Sequence, residues 1–226
     1  MKGSEIDVII AVYNGEKFIE EAIASVQNQT WKDLNIIVAD DGSADQTLNI
    51  VTAMSKSDNR ISIQALPHQG VSATLNAAIK YSSARYIAFL DADDLWNVKK
   101  LAVQMEALAN SANDVCFCMV QEFETLPENA SQSYRARKEP LKGFSKISFL
   151  GKRSVFDRFG LFDETVAIGD FVDWFSRVVR AEVPFTMLDQ VLAFRRIHEN
   201  NTTRNISKNV FLKLLKTHLD AKRENS

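Results

Sequence analysis

Three aspartates follow directly after a short apolar segment, residues 86–90 (YIAFL), which has the pattern of a buried strand. Side chains two positions apart on an extended chain point the same way, so Asp91 and Asp93 could share one cation. A divalent cation such as Mg²⁺ or Mn²⁺ prefers oxygen ligands and would offset the repulsion between these carboxylates. Asp-x-Asp is a weak pattern by itself, and a solvated acidic turn with Asp94 as a helix N-cap is equally compatible with it.

Polar residues also follow two earlier predicted strands. Tyr13 comes after the strand 7–12, and Asp40 and Asp41 come after the strand 35–39. Strand and helix patterns alternate over about 110 residues, which predicts an α/β fold with a mostly parallel sheet flanked by helices. Ligands of such sheets bind at the carboxyl ends of the strands. We therefore expect these side chains to converge at one edge, although turns favour Asp for local reasons as well.

The remaining predicted elements complete this pattern. Further strands are expected at 61–65 and 115–120, and an irregular loop at 122–142. A short helix at 154–159 and a helix that opens at Asp170 come next, and two final strands at 183–188 and 191–197 precede an amphipathic C-terminal helix. These last elements form a small C-terminal strand and helix portion.

Composition excludes several classes of protein. A net charge of −2 with no dominant basic block argues against nucleic-acid binding. No apolar run is long enough for a transmembrane segment, and the first residues lack an apolar signal region. The expected location is therefore the cytoplasm, either free or at the inner face of the membrane. Cys116 and Cys118 are interpreted as small buried apolar residues.

The acidic site favours a nucleoside diphosphate as its ligand, because Mg²⁺ and Mn²⁺ often bind by one or two carboxylates and the oxygens of a phosphate. Asp40 or Asp41 could accept a hydrogen bond from a base, and Tyr13 could stack on it. The eight glycines form neither G-x-G-x-x-G nor a P-loop, and three scattered histidines do not suggest a zinc site.

Several segments resemble, in the same order, those of a family 2 glycosyltransferase of the GT-A fold. They are residues 8–47, from VIIAVYNGEK to DDGSADQT, and the later strings YIAFLDADD, RFGLFDE and RRIHENN. The resemblance covers roughly residues 5–205. It implies an inverting transfer of a sugar from a UDP-, GDP- or dTDP-sugar to a hydroxyl acceptor, with Mg²⁺ or Mn²⁺ as the cofactor.

The resemblance also implies roles for individual residues. Asp93 is the expected direct metal ligand, with Asp91 and His198 as further candidates. Nucleotide binding is carried over to six positions: Ala11, Tyr13, Asp40, Asp41, Asp91 and Ala92. The three segments of the single expected domain, 1–226, are a nucleotide-binding half at 1–120, an acceptor and catalytic half at 121–205, and a C-terminal helix at 206–226.

The catalytic base is expected where a Glu-Asp pair is common in the family, but here the pair is replaced by Gly169-Asp170. Asp170 and Asp173 are both candidates, and Asp170 is preferred because it ends a loop and can point into a cleft more easily. His198 follows a late strand and could contact the metal or the diphosphate, or could simply be a satisfied polar residue at a strand end. Arg195 or Arg196 could offset phosphate charge.

Two other functions remain open. A non-catalytic sugar-nucleotide-binding protein would explain the altered base region, and a nucleotidyltransferase could share the sheet and the acidic site but would usually carry a Gly-rich basic loop after the first strand. The acceptor could be a lipid-linked glycan, a polysaccharide or a peptide, in cell-surface or secreted glycan biosynthesis. The C-terminal helix could support a homodimer.

Overall fold

The computed structural model describes residues 4–125, 135–142, 144–166, 169–199 and 201. Its strands are β1 (Ile6–Val12), β2 (Leu34–Asp40), β3 (Ile61–Ala65), β4 (Tyr86–Phe89), β5 (Leu95–Trp96), β6 (Val115–Glu124), β7 (Leu150–Lys152) and β8 (Phe185–Ile197). Its helices are α1 (Ile19–Gln27), α2 (Thr47–Ser57), α3 (Val71–Tyr81), α4 (Lys100–Ala109), α5 (Ser154–Phe159) and α6 (Asp170–Arg180). A 3₁₀ turn spans Lys146–Ser148.

The strands form one sheet in the order β3-β2-β1-β4-β7-β6-β8-β5. Strands β3, β2, β1 and β4 are mutually parallel, whereas β7 is inserted antiparallel between β4 and β6, and β5 pairs antiparallel with β8. The predicted mostly parallel α/β sheet is confirmed.

Alternating side chains of the strands build a separate apolar core on each face of the sheet. Val8 and Ile10 belong to the core that contains the buried residues of α1 and α4, while Ile9 belongs to the opposite core with α3 and α6. The second core is rich in aromatic rings, and Phe156 stacks on Trp174 with centroids 4.3 Å apart. Both faces are therefore covered, as a parallel sheet requires.

Some predicted boundaries were wrong. The two expected C-terminal strands are one long strand, β8, whose register against β6 shifts between Phe117 and Val120. The expected loop at 122–142 begins later, because β6 continues to Glu124. The predicted C-terminal helix, 206–226, lies outside the described residues. No helix in the described ranges has the length and apolar character needed to cross a bilayer.

Candidate functional site

The carboxyl ends of three parallel strands lie side by side. Val12 at the end of β1 is in register with Asp40 at the end of β2, and the backbone N–H of Leu90, just after β4, donates to the carbonyl of Ile9. The polar residues that follow these strands therefore leave the sheet at the same edge. The sequence prediction of convergence agrees with this geometry.

An aromatic pair lies over the ends of β1 and β2. The ring of Tyr13 stacks on the imidazole of His68, with centroids 4.3 Å apart and planes 24° from parallel. Tyr13 is 51% exposed, so the pair borders the open side of a small cavity of about 210 Å³. That cavity is lined by Ala11, Val12, Tyr13, Asp41, His68, Gly70, Val71 and Thr74. A flat aromatic surface beside an open cavity suits a stacked ring.

Asp41 builds the wall of this cavity. Its carboxylate accepts hydrogen bonds from the backbone N–H groups of Gln69 and Gly70, at 2.8 and 3.0 Å, and from Thr74 Oγ1 at 2.8 Å. His68 Nδ1 lies 2.9 Å from Asp41 Oδ2. Asp41 is only 4% exposed. Through these contacts it fixes the loop that carries His68.

The neighbouring Asp40 has one satisfied and one unsatisfied oxygen. Asp40 Oδ1 accepts from the N–H groups of Gly42 and Ser43, at 3.1 and 2.9 Å, which shapes the turn after β2. Gly42 has φ +77°, a left-handed conformation that favours glycine. Asp40 Oδ2 is buried and has no hydrogen-bond partner within the described ranges.

The three aspartates after β4 point to different partners. Asp93 Oδ2 is 2.9 Å from His198 Nε2 and also accepts a hydrogen bond from Asn201 Nδ2 at 3.3 Å. Asp94 is buried, and its Oδ1 accepts a hydrogen bond from the backbone N–H of Arg196 at 2.8 Å. Burial, together with the charges of Asp93 and Asp91, raises the pKa of Asp94 well above its usual value. The alternative interpretation, in which Asp94 is a helix N-cap, was wrong, because the N-cap position of α4 is Lys99.

Strand β8 reaches this site through Arg196, which is 3% exposed. Its guanidinium lies between the rings of Phe18 and Phe123, 4.7 Å from each centroid. Its Nε donates to the backbone carbonyl of Asp93 at 2.8 Å, and a terminal nitrogen donates to Glu21 at 2.6 Å. Arg196 therefore fixes the loop after β4.

Asp91 is paired with a lysine from a distant part of the chain. Lys146 Nζ lies 3.1 Å from Asp91 Oδ1, and the lysine side chain is only 14% exposed. Burial raises the pKa of the Asp91 carboxyl, and the charges of Asp93 and Asp170 add to this, while Lys146 opposes it. The charges of Asp91, Asp93, Asp170 and Lys146 thus influence one another at this edge.

The two candidate bases differ in their surroundings. Gly169, at φ +84°, turns the chain into α6 and places Asp170 as its first residue. Asp170 Oδ1 accepts from the N–H of Phe171 at 2.8 Å, and its Oδ2 is buried without a hydrogen-bond partner in the described part of the chain. Asp173 lies 3.8 Å from Arg177, which donates to the carbonyls of Phe159 at the end of α5 and of Leu161. Of these two aspartates, Asp170 is the one whose charge, after that of Asp91, helps to raise the pKa of Lys146.

The carboxylate of Asp93 and the imidazole of His198 are two groups that can bind a metal ion, and they are in contact. Within the described ranges, no group of three or more His, Cys, Asp or Glu side chains could hold a metal ion. A divalent ion would therefore need oxygens from a bound ligand, as Mg²⁺ and Mn²⁺ sites completed by phosphates do. The donor set fits such a shared ion.

Sequence reasoning did not identify Lys146 or His68. Lys146 lies in an ordinary mixed segment, KISFLGK, and His68 is a single histidine in a loop. Each becomes notable only through a contact with an aspartate from another strand end. No local spacing could have indicated either pairing.

The chain is similar to known proteins in both sequence and fold. The family model described as glycosyl transferase family 2 matches residues 7–162, more than half of the chain. The chain belongs to this family. It is 32% identical over 157 residues to the putative glycosyltransferase EpsH of Bacillus subtilis, an alignment that covers 67% of this chain and 45% of EpsH.

A second curated relative is named for its reaction. The chain is 35% identical over 126 residues to WfgD of Escherichia coli, a UDP-Glc:alpha-D-GlcNAc-diphosphoundecaprenol beta-1,3-glucosyltransferase. This alignment covers 55% of the chain and 48% of WfgD. The family 2 chain described here thus spans about half the length of the curated relatives it matches.

Two solved structures share the GT-A fold. Staphylococcus aureus TarS 1–349 in complex with UDP-GlcNAc aligns with a TM-score of 0.70 at 20% identity, over 90% of this chain and 61% of that one. The mannosyltransferase PcManGT of Pyrobaculum calidifontis, in complex with GDP-Man and Mn²⁺, aligns with a TM-score of 0.71 at 17% identity, over 88% and 58%. At these identities the likeness establishes the fold.

Proposed function

We propose that this family 2 chain transfers a sugar from a nucleoside diphosphate sugar to a hydroxyl group, with inversion and with Mg²⁺ or Mn²⁺. The observation that carries the proposal is the convergence of three parts at one sheet edge. They are the Tyr13–His68 ring pair, the Asp93–His198 donor pair, and the buried carboxylate of Asp170. The bound UDP-GlcNAc and GDP-Man of the two structural neighbours support a nucleotide-sugar donor.

The nucleotide-binding half, 1–120, binds the donor in this proposal. The base stacks on Tyr13 and lies in the cavity between Ala11 and the loop held by Asp41. Of the two predicted acceptors, Asp40 Oδ2 accepts the hydrogen bond from the base, because the Asp41 carboxylate already accepts three hydrogen bonds from the loop and α3. Asp91 and Ala92 then face the sugar and phosphate portion of the donor.

Asp93 and His198 hold the divalent ion in this proposal. The bound ion would offset the negative charge that develops on the departing diphosphate. Asp91 is a weaker candidate ligand, because its Oδ1 is 3.1 Å from the ammonium of Lys146. The PcManGT structure is a complex with GDP-Man and Mn²⁺, which supports a divalent metal as the cofactor.

Asp170, from the acceptor and catalytic half at 121–205, is the proposed base. The acceptor oxygen forms a bond to the anomeric carbon, the bond from that carbon to the diphosphate oxygen breaks, and the acceptor proton passes to Asp170 Oδ2. That oxygen is buried and has no hydrogen-bond partner in the described ranges, so it can receive a proton. Asp173 fits the role less well because it pairs with Arg177.

A lipid-linked glycan is the acceptor class that the relatives favour, because the name of WfgD includes a sugar on diphosphoundecaprenol. A role in cell-surface or secreted glycan biosynthesis follows from such an acceptor. Polysaccharide and peptide acceptors, a cytoplasmic or membrane-associated location, and a homodimer stay predictions.

A transfer assay tests the proposal. UDP-, GDP- and dTDP-sugars are supplied with Mn²⁺ and a panel of diphosphoundecaprenol-linked sugars, and nucleoside diphosphate release and product anomeric configuration are measured. The proposal expects acceptor-dependent release and an inverted product with one donor class. Retention of configuration, or transfer that is unchanged in the Asp170→Asn variant, would contradict it, and donor binding without transfer would favour a non-catalytic binding protein.

A further inference from the structure

Asn76, a buried residue of α3, makes three hydrogen bonds to a distant segment of the chain, 159–164, which we call the connector. Its Nδ2 donates to the backbone carbonyl of Phe162 and to Glu164 Oε1, each at 2.9 Å. Its Oδ1 accepts a hydrogen bond from the backbone N–H of Phe162 at 3.0 Å. Asn76 is 3% exposed, and its amide uses both its donor and its acceptor groups on the connector.

Side chains of α6 hold the same connector through three more hydrogen bonds. Trp174 Nε1 donates to the backbone carbonyl of Gly160 at 2.8 Å. The two terminal nitrogens of Arg177 donate to the backbone carbonyls of Phe159, at 2.7 Å, and of Leu161, at 2.6 Å. Helices α3 and α6 are therefore joined to each other through the connector.

Each of these two helices carries a part of the proposed active site. Thr74, on α3, lines the nucleotide cavity, and its Oγ1 donates to Asp41 in the wall of that cavity at 2.8 Å. Asp170, the proposed base, is the first residue of α6. The connector therefore joins the helix of the proposed donor cavity to the helix of the proposed base.

Apolar packing also holds the connector, but it does not by itself fix one position. The ring of Phe162 lies in an aromatic cluster, with its centroid 5.7 Å from that of Phe89 and 5.9 Å from that of Trp174. A core that is held by apolar contacts alone can repack and lose its unique arrangement before it loses stability. Buried hydrogen bonds have a direction, so those of Asn76 specify where the connector lies on α3.

We propose that Asn76 is a positioning residue, which acts through the connector to set the place of Asp170 relative to the bound donor. This inference rests on the proposed function. It needs no contact between Asn76 and a substrate, because a displacement of about 1 Å at the reacting groups is enough to lower a rate by about 10²-fold. The competing role is direct binding of the acceptor by the exposed carboxylate of Glu164, with Asn76 as its support.

The first test compares Asn76→Ala with a matched control, Ser82→Ala. Ser82 is the C-cap residue of α3, is 3% exposed, and donates from Oγ to Asp7 at 2.7 Å, so the control also removes a buried hydrogen bond. We expect Asn76→Ala to lower kcat in the transfer assay by about 10²-fold. The Kd of UDP, GDP and dTDP with Mn²⁺, measured by calorimetry, should not change. Ser82→Ala should lose thermal stability but keep the wild-type kcat.

Three results of this comparison would overturn the inference. A wild-type kcat in Asn76→Ala would show that the position of the connector does not affect the reaction. Equal losses of kcat in Asn76→Ala and Ser82→Ala would show that stability alone explains the effect. A loss of nucleotide affinity as large as the loss of kcat would assign Asn76 to the donor cavity instead.

The second test restores the contact by a paired change. Asn76→Asp keeps the shape of the side chain but removes its donors and brings a second carboxylate next to Glu164, so kcat should fall as in Asn76→Ala. Adding Glu164→Gln returns a donor to this pair and should recover kcat by about tenfold, which a double-mutant cycle measures. The absence of recovery would contradict the inference.

Variants of Glu164 alone separate the two roles and do not disturb a buried residue. Glu164→Gln keeps an oxygen that accepts from Asn76, so its kcat should equal that of the wild type, whereas Glu164→Ala should lower kcat by about tenfold. These two variants also serve if the Asn76 variants do not fold. A strong loss in Glu164→Gln would assign the carboxylate to the acceptor and overturn the inference. A wild-type rate in Asp170→Asn would instead refute the proposed function itself.

Discussion

The acidic residues at the ends of strands β2 and β4 make different kinds of contact. At the end of β2, Asp41 accepts hydrogen bonds from the protein on both oxygens and is buried. At the end of β4, Asp91 and Asp93 face a lysine and a histidine, Lys146 and His198, that arrive from distant segments. The contacts of Asp41 order one wall of the cavity, whereas the contacts of Asp91 and Asp93 join three distant parts of the chain.

The two kinds of contact fit different roles, because the first orders a loop and the second can take part in the reaction. A carboxylate that is saturated by backbone N–H groups orders a loop and leaves little capacity for a ligand, as Asp41 does for the loop of His68. A carboxylate paired with a histidine can instead bind a metal ion together with that histidine, because a neutral imidazole is itself a metal ligand. In the proposed function, the β2 end therefore recognises the base, and the β4 end together with Asp170 carries out the chemical step.

The largest effect is expected at the β4 end. Asp93→Asn removes the carboxylate that is proposed to hold the ion, so metal-dependent turnover should fall by about 10³-fold or more, equivalent to several kcal/mol of charge stabilisation. Initial rates with and without Mn²⁺ measure this effect. Near-normal, Mn²⁺-dependent turnover in the variant would remove the distinction between the two strand ends.

The Asp170→Asn variant tests which aspartate is the catalytic base. The variant keeps the volume of the side chain but cannot take a proton, so kcat should fall by about 10²- to 10⁴-fold while nucleotide affinity is retained. Single-turnover rates and calorimetric titration measure the two quantities separately. If Asp173→Asn shows this behaviour and Asp170→Asn does not, the base is Asp173.

At the β2 end, Asp41→Asn should affect binding and stability more than chemistry. Loss of charge-assisted hydrogen bonds to the loop should cost about 1.5–3 kcal/mol of folding free energy. Nucleotide affinity should weaken because His68 loses its support, while kcat at saturating donor should change little. Urea unfolding and a donor titration check both parts, and a kcat loss as large as that of Asp170→Asn would contradict the comparison.

Tyr13→Ala gives a smaller effect at the same end. Stacking of an aromatic ring on a base is worth about 1–3 kcal/mol, so nucleotide Kd should rise by roughly tenfold. A Tyr13→Phe control keeps the ring and should bind as the wild type. Equal losses in both variants would point to the hydroxyl group rather than to stacking.

The smallest effect is expected for Asp173→Asn. Asp173 forms an i,i+4 pair with Arg177, both partly exposed, and such pairs contribute about 0.3–0.5 kcal/mol. Activity and thermal stability should stay close to those of the wild type. A strong loss of activity would place Asp173 in the reaction instead.

Much of this site could be predicted because its signals are local. The apolar strand before Asp91 and the strand–helix alternation gave the sheet and the edge where ligands bind. Strands β5 and β7, of two and three residues, were missed because segments so short carry no periodicity. The long strand β8 was divided in two because Asp189-Gln190 interrupts its apolar pattern.

The partners of the acids could not be predicted in this way. The Asp91–Lys146 pair joins residues far apart in sequence, and sequence spacing has no rule for such pairs. His198 is a metal candidate from the sequence, but its contact with Asp93 depends on the position of β8 in the sheet. Tertiary position rather than residue type distinguished Asp170 from Asp173.

Calorimetric titration of UDP, GDP and dTDP, with and without Mn²⁺, tests the central claim most directly. The account predicts that one of the three nucleotides binds much more tightly in the presence of Mn²⁺, and that Asp93→Asn abolishes this gain while Asp41→Asn weakens binding with or without the ion. Equal binding with and without Mn²⁺ in the wild type, for every nucleotide, would contradict a metal-bridged diphosphate at the β4 end.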